Sequence, residues 1–167
     1  MISEMMSEEM VSEEMVSEEI YQAIPHRHPF LFVDTICELS GDRIKTTKRV
    51  RPEDPFFQGH YPGNPIMPGV LICESIFQTG AILISKKMGA GTGQTGQTGQ
   101  GVPVLTRIQD ARFRSMIKPD DLLETEVEMV EALGGVYFLK GKVAVSGKTV
   151  VTVKFACTLV QDKGESE

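Results

Sequence analysis

The stretch Phe56–Met88, FFQGHYPGNPIMPGVLICESIFQTGAILISKKM, decides the fold of this chain. Its first half has glycines and prolines around one histidine, His60, and its second half is apolar with one carboxylate, Glu74. Glycine and proline hold the backbone in turns that few other residues permit, so the first half predicts a rigid loop. Apolar residues at steps of three and four predict a helix from Gly69 to Ser85. The stretch therefore predicts a fixed loop followed by a helix that carries Glu74.

The helix face that carries Glu74 is otherwise apolar and consists of Val70, Phe77, Ala81, Ile84 and Met88. The opposite face is also mostly apolar, which favours a helix surrounded by protein. A membrane span is the rival interpretation, because residues 65–85 are about long enough to cross a bilayer. Proline and glycine at the start, a carboxylate in the middle and no basic flank disfavour insertion. We therefore predict a core helix and no membrane span.

Three groups of catalytic type fall close together in this stretch. His60 is a candidate base and Glu74 a candidate acid. Gly69 follows Pro68 at the predicted helix start, where unpaired N–H groups and the positive end of the helix dipole would stabilise an oxyanion. Each residue alone also has a structural explanation, as a loop histidine, a helix glutamate and ordinary helix-start sequence. Their combination favours a catalytic site.

Three segments carry a resemblance to a known family: HRHPFLFVD at residues 26–34, FFQGHYPGNPIMPGVLICES at 56–75 and DARFRSMIKPDD at 110–121. Together they resemble the FabZ-type 3-hydroxyacyl-[acyl-carrier-protein] dehydratases, in order from about Ser17 to Val160. In that family a histidine and a glutamate with thirteen residues between them form the catalytic pair, and His60 and Glu74 keep this spacing. The related FabA-type enzymes carry aspartate at the acid position, so Glu74 favours the FabZ type.

The resemblance implies an α+β hotdog fold, in which an antiparallel sheet wraps one long central helix and the chains dimerise edge to edge. It implies reversible dehydration of 3-hydroxyacyl-ACP to trans-2-enoyl-ACP in fatty acid biosynthesis. His60 of one chain would face Glu74 of the other, within a homodimer and a trimer of dimers. Acyl carrier protein would be the partner, the substrate would be carried on its phosphopantetheine, and no other cofactor and no metal would take part.

The resemblance also implies a wider site. Gly69 and Val70 would form the oxyanion and substrate-binding position, and burial beside Val70 and Phe77 would raise the pKa of Glu74. The acyl channel candidates are Ile24, Pro25, His26, Tyr61, Phe77, Ile84 and Val104. The candidate cations for binding the acidic carrier protein are Lys86, Lys87, Arg107, Arg112, Arg114 and Lys118.

Two other function classes remain open. A hotdog acyl-thioesterase would hydrolyse the same thioester with a carboxylate and water, and free thiol would reveal it. A non-catalytic acyl-binding hotdog subunit would keep the fold and lose a catalytic group. The pair formed by His26 and His28 is a weak metal motif, because two histidines without a cysteine or carboxylate ligand nearby seldom bind a metal.

Composition fits one globular domain, with 41% apolar and 24% charged residues in a chain of 167. Residues 1–20 hold seven of the 23 acidic residues and no basic one, so the rest carries a net charge of +1. No basic block appears, which gives a nucleic-acid partner little support. The three cysteines in apolar contexts and the absence of a signal peptide predict buried, reduced thiols and a cytoplasmic location.

The expected organisation has three parts. Residues 1–16, with the repeat SEEMV, form an acidic extension that is disordered or weakly helical, with an interaction arm as the alternative. Residues 17–161 form the hotdog domain, and residues 162–167 a flexible tail. Inside the domain, the Gly-Thr-Gln repeat at 89–101 predicts a surface loop.

Strands are predicted over residues 30–39, 43–50, 102–116 and 122–131, with further strands after the turns that follow. A short helix is expected over residues 17–24. Leu133-Gly134-Gly135 suits a three-residue hairpin loop, which would place Glu128 opposite Lys140 and Glu126 opposite Lys142. One edge of a basic patch is predicted at Lys45, Lys48, Arg49 and Arg51.

Overall fold

The computed structural model describes residues 17–89 and 101–161. The predicted extension, the tail and most of the Gly-Thr-Gln loop lie outside these residues. The elements are α1 (Glu18–Ala23), β1 (Thr35–Ser40), β2 (Arg43–Arg49), a 3-10 turn (Pro55–Gln58), α2 (Gly69–Lys87), β3 (Val102–Phe113), β4 (Leu122–Leu133), β5 (Val136–Val145) and β6 (Lys148–Val160).

The six strands form one antiparallel sheet in the order β1-β2-β4-β5-β6-β3. Helix α2 packs against every strand from β2 to β6. Each of its residues from Ile72 to Ser85 is buried except Glu74. This is the α+β hotdog arrangement that the sequence predicts, and the prediction is confirmed.

Helix α2 has the length and apolar composition of a membrane span, with a mean hydropathy of 1.3, but 72% of it is buried inside the fold. Burial of this kind belongs to the core helix of a folded domain. The packing therefore agrees with the predicted core helix.

The β4–β5 hairpin has the predicted pairs but a different turn. Glu128 lies opposite Lys140 and Glu126 opposite Lys142, as expected. The loop, however, has two residues, Gly134 and Gly135, with φ angles of 59° and 79° that suit a primed turn. The loop is therefore one residue shorter than predicted. A bulge between Met129 and Glu131 places one extra residue in β4 and so compensates for the shorter loop. The predicted three-residue loop was wrong, and the bulge restores the register.

The first predicted strand begins later than expected, at Thr35 instead of Phe30. The N–H of Phe32 donates to Oε1 of Gln78 at 2.8 Å, and the Phe32 carbonyl accepts a hydrogen bond from Oγ of Ser75 at 2.9 Å. The backbone around Phe32 therefore bonds to helix side chains, where a strand would bond to a neighbouring strand.

Strand β3 is an edge strand with an exposed apolar surface. Residues 104–113 are all exposed, and they include Val104 at 43%, Ile108 at 54% and Phe113 at 53%. The strand ends at Phe113, three residues before the predicted end. A long edge of this kind offers unpaired backbone groups to another chain.

Two surface predictions were wrong. Lys48 is buried and lies 3.4 Å from Asp34 Oδ1, while Lys45 pairs with Glu38, so neither belongs to an open basic patch. Cys37 is exposed because it lies on the outer edge strand β1, whereas Cys73 and Cys157 are buried as predicted.

We expect Gly141→Ala to destabilise the fold, because a Cβ there would lie 2.2 Å from Cγ2 of Ile76 on α2. Overpacking of this kind costs about 2 kcal/mol in free energy of unfolding, measurable by urea denaturation. Gly59→Ala is the control, because no atom of the described residues lies within 4 Å of its Cβ position. Equal stabilities of the two variants would contradict the close contact between β5 and α2.

Candidate active site

His60 lies on the loop between the 3-10 turn and α2. Its N–H donates to the Phe56 carbonyl at 3.0 Å, and its own carbonyl accepts from the N–H of Ile66 at 3.2 Å. Its Nδ1 lies 2.8 Å from the Ile66 carbonyl oxygen. Because a carbonyl only accepts, Nδ1 carries a proton, and in the neutral ring Nε2 is the nitrogen with the lone pair. The loop thus presents an imidazole in the form that acts as a base.

Glu74 lies on α2, and Gln78, one turn further along the helix, holds its carboxyl group. Nε2 of Gln78 donates to Oε1 of Glu74 at 3.0 Å and to the Phe30 carbonyl at 3.1 Å. Since Oε1 of Gln78 accepts from Phe32, the orientation of the amide is determined by its partners. Gln78 is almost fully buried, so Glu74 has a rigid support.

Burial raises the pKa of Glu74, and the hydrogen bond from Gln78 opposes this in part. The direction is the predicted one, but the cause differs in detail. Val70 is itself 75% exposed and so is not a buried neighbour, while the side chain of Glu74 keeps 21% exposure. The carboxyl group is therefore held in its acid form more readily than an exposed glutamate.

Gly69 is the first residue of α2, and the N–H groups of Gly69 and Val70 have no hydrogen-bond partner within the described residues. Both are free to bind an oxyanion at the positive end of the helix. The space of a Gly69 side chain is taken by Phe113, whose Cε1 would lie 2.9 Å from a Cβ. Close packing against β3 is thus one reason for glycine at this position.

The channel candidates are spread over the chain. Ile24 and Ile84 have no exposed surface, and Phe77 is buried against Phe155 with ring centroids 5.0 Å apart. Tyr61 is exposed and stacks on His60 at 4.2 Å, while Pro25 and Val104 are exposed elsewhere. A single chain does not unite these residues into one channel.

Within one chain His60 and Glu74 form neither a hydrogen bond nor an ion pair, and the polar partners of each lie elsewhere. Two surface depressions, of about 350 and 290 Å³, lie against sheet residues such as Lys142 and contain neither residue. The described residues therefore show no direct polar contact between His60 and Glu74 within one protomer.

Two residues, Gln78 and His26, contact Glu74 although the sequence did not predict either contact. Gln78 supports Glu74, and its position four residues after Glu74 is the signal that points to this contact. Nε2 of His26 lies 3.6 Å from Oε1 of Glu74, a contact that the tertiary fold creates. His28 is exposed, and no three His, Cys, Asp or Glu side chains in residues 17–89 and 101–161 are grouped to hold a metal ion.

Comparisons with known proteins match this chain over most of its length. A family model described as a FabA-like domain matches residues 24–154. The 3-hydroxyacyl-[acyl-carrier-protein] dehydratase FabZ of Symbiobacterium thermophilum is 45% identical over 139 residues, which cover 81% of this chain and 92% of that protein. FabZ of Caulobacter vibrioides is 39% identical over 143 residues, covering 85% and 86%.

Among solved structures, the dehydratase heterocomplex ApeI:P from Xenorhabdus doucetiae is similar in fold. Its TM-score is 0.70 at 13% sequence identity, and the match covers 86% of this chain and 91% of that chain. The fold, the family model and the extended sequence identity agree with each other. This chain belongs to the FabZ-type 3-hydroxyacyl-[acyl-carrier-protein] dehydratase family.

Proposed function

We propose that this protein catalyses the reversible dehydration of 3-hydroxyacyl-ACP to trans-2-enoyl-ACP in fatty acid biosynthesis. The observation that carries the proposal is a partly buried carboxyl group with a raised pKa, Glu74, in a chain that also presents a histidine suited to accept a proton, His60. The reaction needs one base and one acid, so no cofactor beyond the phosphopantetheine of the carrier protein takes part. We assign the activity to the cytoplasm.

The first step is removal of the C2 proton by Nε2 of His60. As the C2–H bond breaks, negative charge builds on the thioester oxygen, where the N–H of Gly69 stabilises it. The hydrogen bond from Nδ1 to the Ile66 carbonyl stabilises the imidazolium that forms. Val70 lies next to this position and contacts the substrate.

In the second step Glu74 gives its proton to the C3 hydroxyl, the C3–O bond breaks and water leaves. The electron pair from C2 forms the C2–C3 double bond, and the thioester stays intact. His60 has then gained a proton and Glu74 has lost one, so a return transfer through water resets the site. The raised pKa of Glu74 supplies the acid form that this step requires.

The site is proposed to form between two chains, with His60 from one protomer and Glu74 from its partner. The separate polar partners of these residues within one chain support this assignment. The exposed apolar edge of β3 supports pairing of the two sheets through this strand. Three such dimers are proposed to assemble into a hexamer.

Carrier protein is proposed to dock beside the His60 loop. The N–H of Met67 donates to the Ile117 carbonyl at 2.8 Å, so the segment that carries Arg114 and Lys118 borders this loop. Both cations lack an ion pair within the described residues, unlike Lys86, Lys87 and Arg112, which pair with Glu19, Asp42 and Asp110. Free cations next to the site suit an acidic carrier protein.

The direct test measures hydration of trans-2-enoyl-ACP as the loss of ultraviolet absorbance of the conjugated thioester. We expect activity in the native protein and a loss of about a hundredfold or more in His60→Ala and in Glu74→Gln, because each removes a proton-transfer group. His28→Ala and Glu124→Gln change exposed residues and serve as controls. Release of free thiol without hydration would contradict the proposal and indicate a thioesterase.

We expect charge reversal by Lys118→Glu to raise KM for the ACP substrate by about three- to tenfold, because an attractive charge becomes repulsive. KM for a short pantetheine thioester should stay unchanged, since this substrate lacks the carrier protein. Lys154→Glu, an exposed change on β6, is the control. Equal effects on both substrates would contradict docking at Lys118.

Glu74→Gln should raise the melting temperature near neutral pH. The folded-state pKa of Glu74 is raised, so the proton is bound more tightly in the folded protein and ionisation destabilises it as the pH rises above the unfolded value of about 4.3. Glutamine removes this cost. Melting curves should show the gain shrinking below about pH 4, whereas a pH-independent gain, or a loss at neutral pH, would contradict a carboxyl stabilised as the acid.

A further inference from the structure

The segment after α1 is held in place by one side chain, Arg27. Its Nη1 donates to the carbonyls of Ile24 at 2.9 Å and His26 at 2.7 Å, and its Nη2 donates to the carbonyl of Tyr21 at 3.2 Å. The guanidinium group also lies 4.8 Å from the centroid of the Tyr21 ring. Three carbonyls bound by one planar group leave the backbone at His26 little freedom.

The ring of His26 is directed at Glu74. Its Nε2 lies 3.6 Å from Oε1 of Glu74, and its Nδ1 is buried without a hydrogen-bond partner. Burial, with a contribution from the charge of Arg27, lowers the pKa of His26. Burial also raises the pKa of Glu74, so burial disfavours the charged form of both groups.

A neutral imidazole carries one proton, and the surroundings decide which nitrogen holds it. Within residues 17–89 and 101–161 Nδ1 has no acceptor to receive a hydrogen bond, whereas Nε2 faces a carboxyl oxygen. A buried donor without an acceptor is costly, so the proton belongs on Nε2.

The same carboxyl oxygen already accepts the hydrogen bond from Gln78 at 3.0 Å. With two donors directed at Oε1, the acidic proton belongs on Oε2. A separation of 3.6 Å is longer than a hydrogen bond, but catalytic hydrogen bonds are often long without substrate and shorten in the complex.

We propose that His26 is a positioning residue for the acid, donating its Nε2 proton to Oε1 of Glu74 and thereby keeping the acidic proton on Oε2. The proposal rests on the proposed dehydration. When Oε2 transfers its proton to the leaving hydroxyl, the bond from His26 strengthens, because hydrogen bonds to a carboxylate are stronger than those to a neutral acid. His26 keeps its own proton throughout, so the proton balance of the reaction is unchanged.

The test compares His26→Phe, which keeps a ring but removes the donor, with His26→Gln, whose amide N–H takes the place of Nε2–H. We expect kcat to fall about tenfold in the first variant with KM within about twofold, and the second to recover most of kcat. His28→Gln makes the same change at an exposed histidine two residues away and should match the native protein. An unchanged kcat in His26→Phe, or equal losses with phenylalanine and glutamine, would overturn the proposal.

A second measurement needs no substitution and no activity. The ring nitrogen shifts of His26 in ¹⁵N-labelled native protein should show a neutral ring protonated at Nε2, and a proton on Nδ1 or a charged ring at neutral pH would overturn the proposal. If the native protein dehydrates no hydroxyacyl thioester, the proposed function fails while this measurement still reports on His26. If the native protein is active and His26 has the other tautomer, only the positioning role fails.

Discussion

The structure depends on keeping a carboxyl group inside the core helix without leaving it unsupported. Placing a carboxyl among apolar side chains disfavours its charged form, and the position is tolerable only if its oxygens have partners. Gln78 meets this requirement for Glu74, and it does so with an amide whose other atoms bond to the backbone of residues 30–32. The same network therefore supports the acid and ties the segment before β1 to α2. Gln78 thus both supports the acid for proton transfer and makes a contact that the fold requires.

The enclosure of α2 by the sheet has a consequence for catalysis. The loop that carries His60 is fastened on both sides, through Ile66 to its own backbone and through Met67 to Ile117. These bonds hold the loop in place, and within the described residues its imidazole shares no hydrogen bond or ion pair with Glu74. A second protomer is the proposed source of the group that completes each site, and the exposed apolar edge of β3 is the surface proposed to pair with it. In this proposal the sheet that encloses α2 stabilises the fold, and its exposed edge at β3 also brings together the two chains that form each site.

The sequence predicts those features that depend on local spacing. The helix and the place of Glu74 on it follow from periodicity. The predicted β4–β5 pairs depended on a three-residue loop, and they are present because a bulge offsets the shorter turn. The bulge at Val130 has no such signal, since it is a backbone event that compensates for a shorter turn. Residues 30–34 have strand-like composition, but side chains from α2 take backbone hydrogen bonds of Phe30 and Phe32. The approach of His26 to Glu74 is likewise beyond local reasoning, because the two are joined only by the tertiary fold.

The central claim, that the base and the acid come from two chains, is tested most directly by an isolated heterodimer of His60→Ala and Glu74→Gln. Each homodimer lacks one group in both of its sites. In the heterodimer one site would have both groups and the other neither, so the account predicts about half of the native rate per dimer. A purified heterodimer with no more activity than either inactive homodimer would contradict the account.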